Sequence, residues 1–261
     1  MSPNTKIIIG GPGIKSTIVS EKNQFCTDLK SRGLIDHYIT GDGELALVEL
    51  LKGNYSYSGI DSNTWQQIKN IDDFPYPDYD DYNFTLYENP GIPITDSRGC
   101  VRECEFCDII EHWKKFRYRT AESVFDEMVA QINKYKIYKF NFFNSLTNGN
   151  LKEFKKLMYY IAEYNQGKDS QQQISWNGYF IIRSESQHPE ELWSIMSKTN
   201  PFLFLGVESV VQHIRWNLGK KFDNKDIDYH LAMAKKYQIP LALLLIVGYP
   251  TETRDDYEFT K

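Results

Sequence analysis

The chain of 261 residues contains no apolar run that could cross a bilayer: the longest, Leu241 to Val247, is far short of the ~20 residues a spanning helix needs. Its first residues, Met1-Ser-Pro-Asn-Thr-Lys6, lack the apolar core of a signal peptide. A cytoplasmic protein with no membrane partner is therefore expected. Charge of one sign does not dominate, since Lys+Arg 30 against Asp+Glu 35 leave a net −5, which argues against general nucleic-acid binding. Fixed-period repeats and low-complexity tracts are missing. No Gly-Lys-Ser/Thr follows the glycine-rich Ile7–Gly13, so a P-loop is not supported. Cysteine is scarce as well, with four in the chain and three of them inside residues 100–107. In a large intracellular chain that clustering favours metal or redox chemistry over disulfides. The composition, 41% hydrophobic and 15% aromatic, excludes wholesale disorder.

Length alone suggests between one and two domains, about 150 residues each. The first 57 residues alternate short apolar runs with helical patterns, near Glu21–Ser31 and Leu45–Leu51, as two β/α units would. Residues 58–91 hold a stretch rich in Asp, Tyr and Pro, Ile71-Asp-Asp-Phe-Pro-Tyr-Pro-Asp-Tyr-Asp-Asp-Tyr, which disfavours helix interiors and central strands and reads as a linker. From 92 to 261 strands are expected near 92–96, 137–143, 173–182, 202–207 and 241–247. Helical patterns fall between them at 120–135, 150–165, 189–198 and 224–237. Alternation of that length means parallel β/α units. A β/α barrel and an open doubly wound sheet both fit, and in either the chemistry belongs at the C-terminal ends of the strands.

Directly after the first of these strands comes Asp96-Ser-Arg-Gly-Cys100-Val-Arg-Glu-Cys104-Glu-Phe-Cys107. Three thiolates on one loop can hold three irons of a [4Fe–4S] cluster and leave the fourth open to a ligand. The alternative is a zinc-stabilised β/α protein, which would want a fourth ligand such as His112. Cys26 has no paired partner and is expected to be a small buried residue. His112, His188, His213 and His230 form no pair at catalytic spacing and are expected on the solvated surface. The Tyr and Phe residues of 135–143 and 157–164 suit a packed core.

The cysteine spacing, with Phe106 before the third cysteine, resembles the signature of the radical S-adenosylmethionine (radical SAM) superfamily. The likeness continues along the chain. Phe116-Arg-Tyr-Arg-Thr-Ala-Glu-Ser resembles that family's first barrel helix, with Arg117 and Arg119 near its start. Asn141-Phe-Phe-Asn-Ser-Leu-Thr-Asn-Gly-Asn follows the second strand, Leu203-Phe-Leu-Gly-Val-Glu-Ser resembles the Gly-hydrophobic-Glu-Ser element, and Ile246-Val-Gly-Tyr-Pro-Thr-Glu-Thr resembles the Gly-x-Pro-x-Glu-Thr element. The pattern is that of members carrying a cobalamin-binding-type (B12-dependent-type) N-terminal domain, whose last glycine motif and acidic turn resemble Ile7–Gly13 and Gly41-Asp-Gly-Glu. The family's Asp-x-His-x-x-Gly and Ser-x-Leu elements are absent and His37 lies in the wrong context to replace that histidine, so independent cobalamin binding is not expected of this chain alone.

The resemblance implies an incomplete (β/α) TIM-like radical SAM barrel over 92–261, behind a partial Rossmann-like cobalamin-binding-type segment over 1–57. Its cofactors would be a [4Fe–4S] cluster on Cys100, Cys104 and Cys107 and S-adenosylmethionine (SAM), reductively cleaved to a 5′-deoxyadenosyl radical, with methyl or other group transfer as a later step. Phe106 would lie near the adenine, or simply pack. Asn144 and Ser145 would contact the SAM ammonium, though Asn stands where relatives often have Asp; an ordinary turn is the alternative. Arg183 would pair with the SAM carboxylate or else be a solvated arginine. Glu208 would contact SAM or substrate, Val247 with Gly248 would let the backbone approach the adenine, and Glu252 would start a helix. Implied partners are an unknown substrate, an electron donor such as flavodoxin or ferredoxin, and a chain completing the barrel or the cobalamin domain. The abrupt C-terminus leaves a short natural form, a split-enzyme piece or a truncation. A non-catalytic cluster- or SAM-binding subunit is the rival function.

Overall fold

A computed structural model describes residues 5–16, 24–62 and 64–261, and divides them into two compact units. The first comprises residues up to 69 together with 108–114. In it β1 (Ile8–Ile9) pairs in parallel with β2 (His37–Tyr38), accompanied by α1 (Pro12–Ser16), α2 (Gln24–Ser31) and α3 (Gly43–Leu51). Part of the helix expected from Glu21 lies outside the described residues. Cys26 is fully buried with Ile14, Ile35 and Tyr38, as a small apolar residue would be. The segment 108–114 adds α4 (Ile109–His112), where the His112 ring packs edge-on against Trp65 and Trp113 at 5.1 and 4.1 Å.

The second unit, 70–107 and 115–261, is an α/β fold built on five parallel strands. These are β3 (Ile92–Ile94), β6 (Lys139–Phe142), β7 (Ser175–Phe180), β8 (Pro201–Glu208) and β9 (Leu241–Leu245), in that spatial order. Sequential order in a parallel sheet with helical crossovers is consistent with a partial TIM-like barrel. Helices α5 (Ala121–Tyr135), α6 (Leu151–Asn165), α7 (Glu190–Met196) and α9 (Asn224–Lys236) fall where the periodicity places them. Local signals fix their starts: Thr120 accepts the Ser123 N–H ahead of α5, and Asn150 accepts those of Lys152 and Glu153 ahead of α6. Ile92, Phe140, Phe142, Trp176, Leu203, Leu205 and Val207 are buried beneath these helices, together with Met128, Met158 and Trp193 from the helices themselves. Tyr135, Tyr138, Tyr160 and Tyr164 pack against this core.

Three pieces depart from the periodicity. A short antiparallel pair, β4 (Ser97–Arg98) with β5 (Arg117–Tyr118), brackets the cysteine loop. It is too brief to leave a period-2 trace. α8 (Gln212–Asn217) lies between β8 and α9, and α10 (Arg254–Thr260) follows β9, its start closed by Thr253 and Asp256. Glu252 is not in that helix: it precedes the cap and accepts the Gly248 N–H at 2.6 Å.

The histidines also differ from expectation. His213 is exposed, but His112, His188 and His230 are buried. His188 and His230 have ring centroids 5.5 Å apart, and Trp193 lies 4.9 and 5.3 Å from them. Imidazole is small and planar enough to pack with aromatic rings when neutral, which spacing along the sequence does not reveal. Burial pushes the two histidines down to about 3 and about 4, so both stay neutral in the fold at pH values where an unfolded histidine protonates. The unfolded chain then binds more protons below its own histidine pKa near ~6.5, so stability falls as the pH drops from that value towards 4. Neither ring nitrogen of His188 has a hydrogen-bond partner among the described residues, so a phenyl ring can replace it without breaking one. His188→Phe is expected to flatten the pH dependence of urea unfolding between pH 7 and 4.5 by up to about 1.4 kcal/mol per pH unit. An unchanged slope would contradict the buried, neutral assignment.

Candidate iron–sulfur and SAM site

The cysteine loop springs from the C-terminal end of β3, and its shape is held from two sides. Within it, the Cys107 N–H donates to the Cys104 carbonyl at 3.0 Å and the Arg102 N–H reaches Cys100 Sγ at 3.4 Å. From outside, the Glu105 N–H donates to the Leu218 carbonyl at 3.1 Å. Gly219 follows with φ +79°, and a Cβ there would stand 3.0 Å from the Glu103 carbonyl and 3.3 Å from Cys104 Cα. Only glycine serves both that backbone conformation and that approach. Gly219→Ala is therefore expected to destabilise the cluster-free chain by about 1–2 kcal/mol in urea unfolding, whereas no change would deny the close approach.

The next residue, Lys220, is a functional candidate that sequence reasoning missed. Its ammonium donates to Glu208 Oε1 and to the Gly206 carbonyl, each at 2.7 Å, and stands 5.8 Å from the centre of the Phe106 ring. Lys220 and Glu208 are only 8% and 7% exposed, which makes this a buried ion pair rather than a surface one. The backbone is bent to form it. β8 bulges between Gly206 and Glu208, and Glu208 takes φ +64°, a left-handed conformation uncommon for a non-glycine residue. A Cβ on Gly206 would meet Lys220 Nζ at 2.8 Å, so the glycine makes room for the pair. The Gly-x-Glu spacing had pointed to Glu208; a lysine in the Leu-Gly-Lys run twelve residues later carried no comparable signal.

Burial is the largest influence on the Cys100 and Cys104 thiols and pushes both up, while the Lys220 charge acts on both in the opposite direction. Cys100 also feels Cys107, and Cys104 feels Cys100 and Cys107, so the three thiols share one electrostatic environment. Among the described residues, no three Cys, His, Asp or Glu side chains converge tightly enough to grip a single metal ion. A zinc cage demands that convergence. A cubane does not, because each thiolate binds its own iron corner. Three half-buried thiols, with the Arg102 amide on Cys100 and the Lys220 charge acting on Cys100 and Cys104, fit a cluster with one iron lacking a cysteine.

The remaining expected contacts are spread over the neighbouring strand ends. Phe106 is half exposed. Asn144 is buried after β6, and its amide donates to the Asp96 carboxyl and, at 3.0 Å, to Ser97 Oγ. Asp96, at the end of β3, was passed over although it opens the cysteine motif; burial holds its carboxyl up to about 8. A carboxyl thus stands next to Asn144, on another strand. Ser145 is half-buried. Arg183 is not a solvated arginine: it is 9% exposed, with Nε and Nη2 on the Asn148 carbonyl at 3.2 and 2.9 Å and Nη2 on that of Gly149 at 3.1 Å. Val247 is 61% exposed beyond β9. The turn after it is tied to α8 by the Tyr249 hydroxyl on the Asn217 carbonyl and by the Asn217 amide on Thr251 Oγ1.

Comparison with known proteins places this geometry in context. Residues 94–261 match the radical SAM superfamily. An uncharacterized methyltransferase of Pyrococcus horikoshii is 26% identical over 282 residues, covering 100% of this chain and 58% of that protein. The cytidylyl-2-hydroxyethylphosphonate methyltransferase of Streptomyces wedmorensis is 24% identical over 228 residues, with 79% and 40% covered. The chain thus spans about half the length of these curated relatives. Among solved structures, the radical SAM methyltransferase TsrM from Kitasatospora setae, with tryptophan and a SAM analogue bound, superposes with a TM-score of 0.75 at 15% identity over 98% of this chain and 52% of its own. The cobalamin-dependent radical SAM enzyme OxsB, with aqua-cobalamin and SAM bound, gives 0.75 at 16% identity over 97% and 38%. At those identities the likeness is one of fold. The family match covers well over half of the chain and includes all three loop cysteines, and its members use a [4Fe–4S] cluster and SAM; the chain belongs to the radical SAM superfamily.

Proposed function

We propose that this chain forms the cluster- and SAM-binding part of a radical SAM enzyme, with methyl or other group transfer as the reaction it serves. The observation that carries the reading is the arrangement of Cys100, Cys104 and Cys107 on a loop held at the C-terminal strand ends by the turn 218–220. Three thiolates ligate three irons, and the iron without a cysteine is left for the amino and carboxylate groups of SAM. When bound, the cluster supplies the single electron that splits the SAM sulfonium into methionine and a 5′-deoxyadenosyl radical.

The chain's own residues have the work of holding and shielding. Asn144, with Asp96 behind it, offers oxygen acceptors to an ammonium beside Ser145. Arg183, anchored on two carbonyls, is the strand-end cation suited to meet a carboxylate. Phe106 and Val247 present apolar surface suited to an adenine and to keeping water from a radical. The electron requires a reductant, and a flavodoxin or ferredoxin of the cytoplasm is the class proposed.

The test is anaerobic reconstitution of the full chain followed by dithionite and SAM, with methionine and 5′-deoxyadenosine quantified. Formation of both products by the wild type, with less than about a hundredth of that by Cys104→Ala, is the expected result. Zinc bound in place of iron and sulfide, or a cluster-loaded chain that leaves SAM intact, would overturn the reading.

A further inference from the structure

The buried pair Lys220–Glu208 has charge where a cluster would need it tuned. Four observations fix its position relative to the cysteine loop. Lys220 Nζ is 5.8 Å from the ring of Phe106, the residue preceding Cys107. Gly219, its chain neighbour, approaches Cys104 Cα closely enough that a Cβ would be at 3.3 Å. Leu218 accepts the Glu105 N–H. The ammonium itself is fixed by two acceptors, the Glu208 carboxylate and the Gly206 carbonyl, so it does not swing out to water. Almost complete burial leaves little solvent to screen it. Glu208 accepts from the ammonium and acts on Cys104 with the opposite sign.

We propose that Lys220 and Glu208 are positioning residues that set the reduction potential of the cluster, Lys220 raising it and Glu208 lowering it, with the difference between them decided by which charge stands nearer the loop. The inference rests on the cluster reading above. Reduction adds one electron to the cluster and transfers no proton, so a fixed positive charge nearby favours the reduced form and a fixed negative charge disfavours it. The Lys220 turn is tied to the loop through the Leu218 carbonyl, the Gly219 approach and the Phe106 ring. The carboxylate thus holds the lysine in place and limits its effect. The strained backbone at Glu208 has a use in this arrangement: the bulge accompanies a strand-end carboxylate that meets the lysine.

The experiment is a potentiometric titration of the reconstituted full chain, without SAM, in which reduced cluster is followed by electron paramagnetic resonance against dithionite and mediators. Four proteins are compared with the wild type: Lys220→Met, Lys220→Arg, Glu208→Gln and the double variant Lys220→Met/Glu208→Gln. The potential is expected to move negative in Lys220→Met, to stay near wild type in Lys220→Arg, and to move positive in Glu208→Gln. The double variant, which removes both charges and so leaves neither buried alone, should fall between the single variants. Opposite signs for the two single variants are the decisive feature, since mere loosening of the loop would shift both in the same direction. Potentials that are equal across cluster-loaded variants, or single variants that move together, would overturn the inference and leave the cluster reading intact. If Lys220→Met loads no cluster, Glu208→Gln alone carries the sign, and a negative or absent shift there overturns it. A wild-type chain that takes up no iron and sulfide would defeat the cluster reading itself.

Discussion

Cys100 and Cys104 have to lose their protons in a place where burial holds those protons on, and most of the local structure answers that conflict. Water cannot be admitted freely if the proposed radical chemistry is to be shielded. The compensation has to come from fixed groups. The Arg102 amide directed at Cys100, the Lys220 ammonium and the iron ions themselves are those groups. Lys220 in turn can be buried only with a counter-charge, and Glu208 supplies it through a β-bulge and a left-handed backbone. Gly206 and Gly219 then follow as the places where a side chain would collide with the pair or with the cysteine loop.

The parallel sheet makes this convergence possible. Parallel strands in register bring their C-terminal ends to one edge, so Asp96 from β3, Asn144 from β6, Arg183 from β7 and Glu208 from β8 gather although they are separated by up to 112 positions. Below them the core of Phe140, Phe142, Trp176, Phe180 and Leu205 is closed by helices α5, α6, α7 and α9. Side chains of the loops are thus mounted on a rigid base, which is what a site needs if its groups are to stay charged and oriented without solvent.

How much of this could be read from the sequence follows from the range of the interactions. The five strands and four main helices are periodic over enough residues to be visible, and Thr120 and Asn150 mark helix starts by chemistry that acts within three residues. The cysteine array is equally local. Lys220 and Asp96 were not legible, because each has its role from a partner on another strand or turn: Glu208 for one, Asn144 for the other. The buried histidines failed for the same reason, since His188 and His230 meet only once α7 and α9 have packed. Arg183 follows β7, where the sequence pattern places it, and the two carbonyls that anchor it lie on a different loop, which spacing along the chain does not reveal.

The central claim is that three cysteines hold a four-iron cluster whose remaining iron takes SAM. Electron paramagnetic resonance of the dithionite-reduced chain, with electron–nuclear double resonance on SAM carrying 15N in its amino group and 17O in its carboxylate, addresses it directly. The account predicts a reduced [4Fe–4S] signal that changes on adding SAM and shows hyperfine coupling to both labels. A cluster signal indifferent to SAM, with no coupling to either label, would contradict it.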